Sequence, residues 1–199
     1  MKKCYVFVLL LLSIGATAQI NPSDILVGGN IGFSTAKYQI TEGEQKQSNF
    51  TVTPRVSVAV AHNWVLGLQF GYSHNKSSAN AGTNSSSQGS FFTPGIFVKH
   101  LMPIKGDFGW FAQMEGSYGW GTQKANYNGA SSQQKNYTTA ATLKPGLYYK
   151  PTSSVLLFLD AGGAGYVHLV SKTNLEKSSS DAFSITLFQN FVFGLDFIF

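Results

Sequence analysis

From Ile25 to the C-terminus, apolar and polar residues alternate with a period of two. Successive side chains on a β-strand point to opposite faces, so this period predicts strands with one face apolar. Eight segments carry the pattern: 25–40, 48–60, 64–75, 91–102, 108–124, 137–150, 155–170 and 183–199. Each exceeds the ~9–11 residues that a tilted strand needs to cross a membrane. The connections alternate in length. Those at 61–63, 103–107 and 151–154 are short, and those at 41–47, 76–90, 125–136 and 171–182 are longer. The stretch 77–88 is almost entirely Ser, Asn, Ala, Gly, Thr and Gln, which predicts a mobile, solvated loop. Short turns on one side and long loops on the other predict an eight-stranded antiparallel up-and-down transmembrane β-barrel, with the short turns periplasmic. An even strand number then leaves both termini in the periplasm.

The side-chain classes indicate which face meets lipid. One face reads Val56, Val58, Val60, then Leu66, Leu68, Phe70, Tyr72, and finally Phe191, Phe193, Leu195, Phe197, Phe199. The other reads Gly67, Gln69, Gly71, Ser73, and then Asn190, Val192, Gly194, Asp196. That second face is small and rarely charged. A strand face in bulk water is rich in Lys and Glu, so the polar face is placed inward and the apolar face in lipid. In segments five and seven, Phe111, Phe158 and Tyr166 fall on the polar parity and leave the facing open. Aromatic residues gather at both ends. Trp64, Phe108, Trp110, Phe197 and Phe199 lie toward the short turns. Tyr38, Phe50, Tyr72, Phe92, Tyr118, Trp120 and Phe183 lie toward the long loops. Two interfacial girdles are expected from this arrangement.

Composition agrees with a chain partly solvated by lipid. Charged residues are 12% of the 199, about half the ~25% of a soluble domain. The 14% aromatic content excludes a disordered chain. The net charge of +5 includes a single arginine, Arg55, so a nucleic-acid partner is not expected. Residues 1–18 read as a secretory signal peptide. Lys2 and Lys3 precede an apolar run over 5–12, and Ala16-Thr17-Ala18 is a cleavage site. An N-terminal membrane anchor is the alternative, and the short apolar run disfavours it. The expected domain organisation is thus a leader over 1–18 and a barrel domain over 19–199. Cys4 leaves with the leader, so neither disulfides nor cysteine metal sites are expected.

The chain resembles the porin-like outer-membrane β-barrel domain family common in Bacteroidetes, over 25–199. The hairpin from Thr53-Pro54-Arg55 to Val65-Leu66-Gly67-Leu68 carries this likeness, with similar openings at Thr93-Pro94-Gly95-Ile96 and Lys144-Pro145-Gly146-Leu147. Gly71-Tyr72, Gly119-Trp120 and Gly165-Tyr166 recur in the outer parts of the other strands, and the chain ends in phenylalanine. The resemblance implies integral residence in the outer membrane of a Gram-negative bacterium. It also implies that Phe199, Phe197 and Leu195 form the signal read by the barrel-assembly machinery. Pro54, Pro94 and Pro145 stand within predicted strands, where proline removes a ladder donor. A bulge or a position near the rim is expected there.

Candidate chemistry is sparse. His74 and His168, with Ser73, Ser171, Glu176 and Asp181, could be assembled into a hydrolase triad near the outer rim, as in lipid-A deacylase barrels. No spacing dictates that geometry. His62 and His100 lie by the short turns. No zinc or calcium motif is present, and no cofactor is expected. Gly28-Gly29-Asn30 and Gly162-Gly163-Ala164-Gly165 lie within strands, where glycine permits curvature. The informative residues are the charges of polar parity: Arg55, Lys99, Glu115, Lys144, Asp160 and Asp196. An eight-stranded barrel is filled by its own side chains, and a buried charge is tolerated when paired. Arg55, Glu115, Lys144 and Asp160 count to a similar height, with Lys144 between Glu115 and Asp160. A salt-bridged plug is expected, with a gated, charge-lined channel as the alternative. The reading is a non-catalytic envelope protein acting through its loops or within a complex. A narrow pore and a lipid-modifying enzyme are the competing readings. Outer-membrane lipid and lipopolysaccharide are the expected surroundings.

Overall fold

The computed structural model describes residues 20–40, 43–81, 83–127, 130–173 and 176–199. The leader expected over 1–18 lies outside the described residues. Eight antiparallel strands close into a barrel in sequence order. They are β1 (Ile25–Ile40), β2 (Gly43–Ala61), β3 (Trp64–Ala81), β4 (Thr83–Lys105), β5 (Phe108–Tyr127), β6 (Ala130–Thr152), β7 (Val155–Lys172) and β8 (Lys177–Ile198). The turns at one end are tight. Asn63 and Gly106 turn with positive φ, 61° and 56°, a conformation that asparagine and glycine adopt at least cost.

The other end corrects the sequence reading of long loops. Residues 76–81 and 83–90 form a paired ladder, with Lys76 opposite Gln88, Ser77 opposite Ser87 and Ser78 opposite Ser86. In the segments expected as loops at 41–47, 125–136 and 171–182, described residues also extend the strands, through pairs such as Lys37–Lys46, Ala125–Ser132 and Ser171–Ser178. Backbone groups pair whatever the side chains are. A hairpin that prolongs an existing ladder needs no apolar face of its own, so its Ser- and Asn-rich composition hid its strands.

The facing follows the parity argument in β2, β3 and the end of β8. Val56, Val58, Leu66, Leu68, Phe70, Phe193 and Phe197 are exposed on the outside, while Arg55, Ser57, Gln69 and Asp196 are buried. Phe111 and Phe158 point inward and are fully buried. Tyr166 is exposed, because the ladder slips between Asp160 and Gly162 and shifts the parity of the strand above. The three prolines share one device. Each is paired with the preceding strand: Pro54 with Gly29, Pro94 with Phe70, and Pro145 with Ala112. On the side of the following strand, pairing is interrupted at each of them. The lost donor therefore falls where the ladder is already open.

Aromatic rings mark both ends of the outer surface. Trp64 stacks on His100 by the tight turns, with ring centroids 4.3 Å apart. Toward the hairpins, Tyr72, Phe92, Trp120 and Tyr118 form a continuous band across β3, β4 and β5.

Candidate functional site

The lumen is filled from the tight-turn end upward. Its floor is apolar, with Ile20, Leu26, Ala59, Val65, Leu101, Leu156 and Ile198 buried. The chain entering β1 is fastened to this end by Ser23 N–H donating to the Ala59 carbonyl at 2.8 Å and Ala59 N–H to that of Asp24 at 2.8 Å.

Above the floor lies a layer that composition alone did not reveal. Four inward aromatic rings each lie across a glycine on the neighbouring strand: Phe97 on Gly67, Tyr148 on Gly109, Phe111 on Gly146 and Phe158 on Gly194. A β-carbon added at any of these glycines would overlap the ring. Each glycine thus supplies the space into which its partner folds, and the rings fill the bore. The signal was present as Gly–aromatic pairs in register, which become visible only once the register is known.

Two cations are set among these rings. The Arg55 guanidinium sits 4.0 Å from the Phe158 ring centre, and the Lys99 ammonium 4.5 Å from it and 5.0 Å from that of Phe111. Both share one carboxylate, with Arg55 Nε 3.6 Å from Asp196 Oδ1 and Lys99 Nζ 3.8 Å from Asp196 Oδ2. All three side chains are at most 3% exposed. A positive charge over an aromatic face is stabilised by the ring quadrupole, more so where water is excluded. The rings therefore help solvate cations that one carboxylate would otherwise hold alone.

Higher in the bore, Lys144 Nζ pairs with Glu115 Oε1 at 2.6 Å. Gln69 and Gln113 donate amide N–H groups to Glu115 Oε2 at 3.2 and 3.0 Å. Lys144 is about one-third exposed. Five of the six charges fall into two groups, with Asp196 gathering Arg55 and Lys99 below and Glu115 holding Lys144 above. Asp160 is buried, and among the described residues no ion pair within 4.0 Å joins it to Lys144. Three cations face three carboxylates, so the formal charge of the set is zero.

Above this layer opens a cavity of about 550 Å³, lined by Gln69, Gln113, Glu115, Lys144, Asp160 and hydroxyl side chains such as Thr53 and Thr93. The bore then continues between the polar hairpins, past Ser34, Gln47, Asn49, Asn75 and Gln123.

The residues considered for a hydrolase do not meet. His168 Nδ1 lies 2.7 Å from Asp181 Oδ1, and the Tyr166 hydroxyl donates to the same oxygen at 2.5 Å. This pair joins β7 to β8. The other histidine, His74, contacts Ser90 Oγ at 2.9 Å between β3 and β4. Base-with-acid and base-with-hydroxyl are thus separated by β5 and β6. Ser171 is engaged with Asn136 Oδ1 at 2.8 Å. Glu176 closes the β7–β8 turn, its carbonyl accepting from Thr173 N–H at 2.9 Å. Among the described residues, no group of three His, Cys, Asp or Glu side chains could hold a metal ion.

No protein-family model and no curated protein matches this sequence. Two solved structures resemble the chain trace. Neisserial surface protein A has 13% identity and a TM-score of 0.43, covering 91% of this chain and 99% of that one. A major outer membrane protein from Thermus thermophilus has 14% identity and a TM-score of 0.48, covering 89% and 99%.

Proposed function

We propose that this chain is an integral, non-catalytic outer-membrane β-barrel whose lumen is sealed by its own side chains. It acts through its projecting hairpins or as a component of an envelope complex. The observation that carries this reading is the inversion of the barrel. Large apolar side chains such as Ile31, Phe70, Ile96, Met114 and Phe193 are 57–71% exposed on the outside, while Arg55, Lys99 and Asp196 are buried inside. An apolar belt of that extent far exceeds the patch a soluble monomer exposes, and lipid is the solvent that suits it. The closed ring leaves backbone groups paired across the lower wall, which the hydrocarbon region requires.

The Arg55–Lys99–Asp196 cluster, set against the rings of Phe97, Phe111 and Phe158, supports a plug rather than a pore. Its two cations are held by the shared Asp196 carboxylate and by aromatic faces, and its rings lie across the bore. The separation of the two histidine sites supports a non-enzymatic role. The tight turns are placed in the periplasm and the long hairpins outside. Phe199, Phe197 and Leu195 serve as the signal for the assembly machinery, and Phe199 also closes the ring. Its N–H donates to the Ile25 carbonyl at 2.8 Å and its carbonyl accepts from Ile25 N–H at 3.0 Å. Lipid and lipopolysaccharide surround the belt. Protein partners, where present, meet the hairpins.

Fractionation and single-channel recording test the reading together. The chain is expected in the outer-membrane fraction, and the purified barrel is expected to give no stepwise conductance in planar bilayers. Reproducible open-channel steps would replace the plug with a pore.

A further inference from the structure

The β1–β8 seam is the least paired of the barrel wall. β1 and β2 pair along 16 residues, Ile25 to Ile40. β1 and β8 pair only from Leu26–Ile198 to Asn30–Gly194, beyond the Ile25–Phe199 closure. Above Asn30 the two strands part. β8 also carries surplus chain at this height: Asp160 of β7 faces Val192, yet Gly162 faces Leu187, so two steps on β7 span five on β8. At ~3.3 Å per residue and a tilt near 40°, the closed part rises about 15 Å, roughly half the hydrocarbon thickness. The slit therefore opens in the upper half of the membrane.

Its rims are apolar and its interior is not. Ile31 and Phe33 on β1, with Phe191 and Phe193 on β8, are 54–73% exposed. All four also line the luminal cavity that reaches Asp160 and Gln113. Those two side chains are buried, yet Asp160 Oδ1 and Gln113 Oε1 accept no hydrogen bond from the protein. One cavity thus runs from an apolar slit to Asp160, whose carboxylate has, among the described residues, neither a hydrogen bond nor an ion pair to the protein within 4.0 Å. An open strand edge in hydrocarbon is costly unless something covers it.

We propose that the slit admits a single-chain amphiphile from the outer leaflet. Its hydroxyl-bearing, uncharged head rests against Asp160 and Gln113, and its acyl chain leaves between Ile31 and Phe193. The head is uncharged because the charged side chains lining the cavity, Arg55, Lys144, Glu115 and Asp160, already balance, so an added anion would lack a counter-charge. It bears hydroxyls because the Asp160 carboxylate, which lines the cavity, is an acceptor in need of donors. A cavity of about 550 Å³ suits a small head and part of one chain. This inference rests on the membrane reading above.

The test uses the full barrel in a Cys4→Ser background, purified from outer membranes, with monopalmitoylglycerol as probe and native mass spectrometry as readout. One bound probe per barrel is expected, with palmitate at least tenfold weaker and hexadecane not retained. Ile31 and Phe193 would be the next pair of the β1–β8 register, so Ile31→Cys with Phe193→Cys staples the slit. Oxidation is expected to reduce probe binding at least tenfold and reduction to restore it. Val192→Trp, which fills the same opening, is expected to give a similar loss without a disulfide. Equal binding in the stapled, reduced and Val192→Trp barrels would overturn the proposal, as would palmitate binding as tightly as the glyceride. A disulfide-linked dimer of the Ile31→Cys single variant would also overturn it, by showing that a second copy covers the edge. A barrel that reaches the outer membrane and binds no probe defeats this inference alone. A chain absent from that membrane defeats the reading beneath it.

Discussion

The lower and upper halves of this barrel share one ladder of backbone hydrogen bonds and differ in what fills it. Below, between the tight turns and Lys144, aromatic rings, two cations and a shared carboxylate occupy the bore. Above, residues 76–81 pair with 83–88 and residues 125–127 with 130–132, in strands rich in Ser, Asn and Gln. The lower half is stabilised by interior packing and by charges that lose much if one partner is removed. The upper half holds mainly through continuity with the strands beneath it. Sheet pairing alone thus propagates a wall, and the interior decides how much each residue matters. Local stability is expected to fall from the turns toward the hairpin tips.

The sharpest way to break this contrast is to remove the shared carboxylate. Asp196→Ala leaves Arg55 and Lys99 buried without their counter-ion and should cost about 3–5 kcal/mol. Denaturant unfolding of the refolded barrel in detergent would measure it. A loss no larger than that of Lys144→Met, expected at about 1–2 kcal/mol because Lys144 is partly exposed, would mean the lower layer is not the anchor.

A smaller equilibrium effect is expected at the ring closure. Deleting Phe199 removes two backbone hydrogen bonds to Ile25, worth about 1–3 kcal/mol together. Outer-membrane levels should fall by more than that stability loss implies, if the terminal residues also guide assembly. Immunoblots of membrane fractions set beside the unfolding curves would separate the two roles, and undiminished levels would remove the assembly role.

The smallest effect belongs to the hairpins. Replacing residues 77–87 with Asn-Gly, a two-residue turn suited to a hairpin, should change stability by no more than about 0.5 kcal/mol. The same replacement should abolish any partner binding that uses this hairpin. A loss of several kcal/mol would show that the upper half stabilises the barrel as much as the plug does.

Strand number, strand order and the outward apolar parity of β2 and β3 were legible in the sequence. A period of two, broken at Gly, Pro and Asn, is a local property, and Val56, Leu66 and Phe70 announce their face without help from distant residues. The charged lumen residues were legible as a set for the same reason. Their partners were not. Lys144 and Glu115 meet at 2.6 Å, as their height suggested, but Arg55 pairs with Asp196, which comes 141 positions later (196 − 55). That pairing depends on ring closure, which no local pattern records.

The hairpin strands escaped notice because polar side chains on both faces erase the alternation while leaving backbone pairing intact. Register placed Phe158 on Gly194 and Phe111 on Gly146, and so turned apparent parity errors into the filling of the bore. The early end of β1–β8 pairing is likewise a tertiary outcome. A strand's own sequence states which residues want lipid, whereas where two distant strands stop pairing is set by the shape of the whole closed sheet.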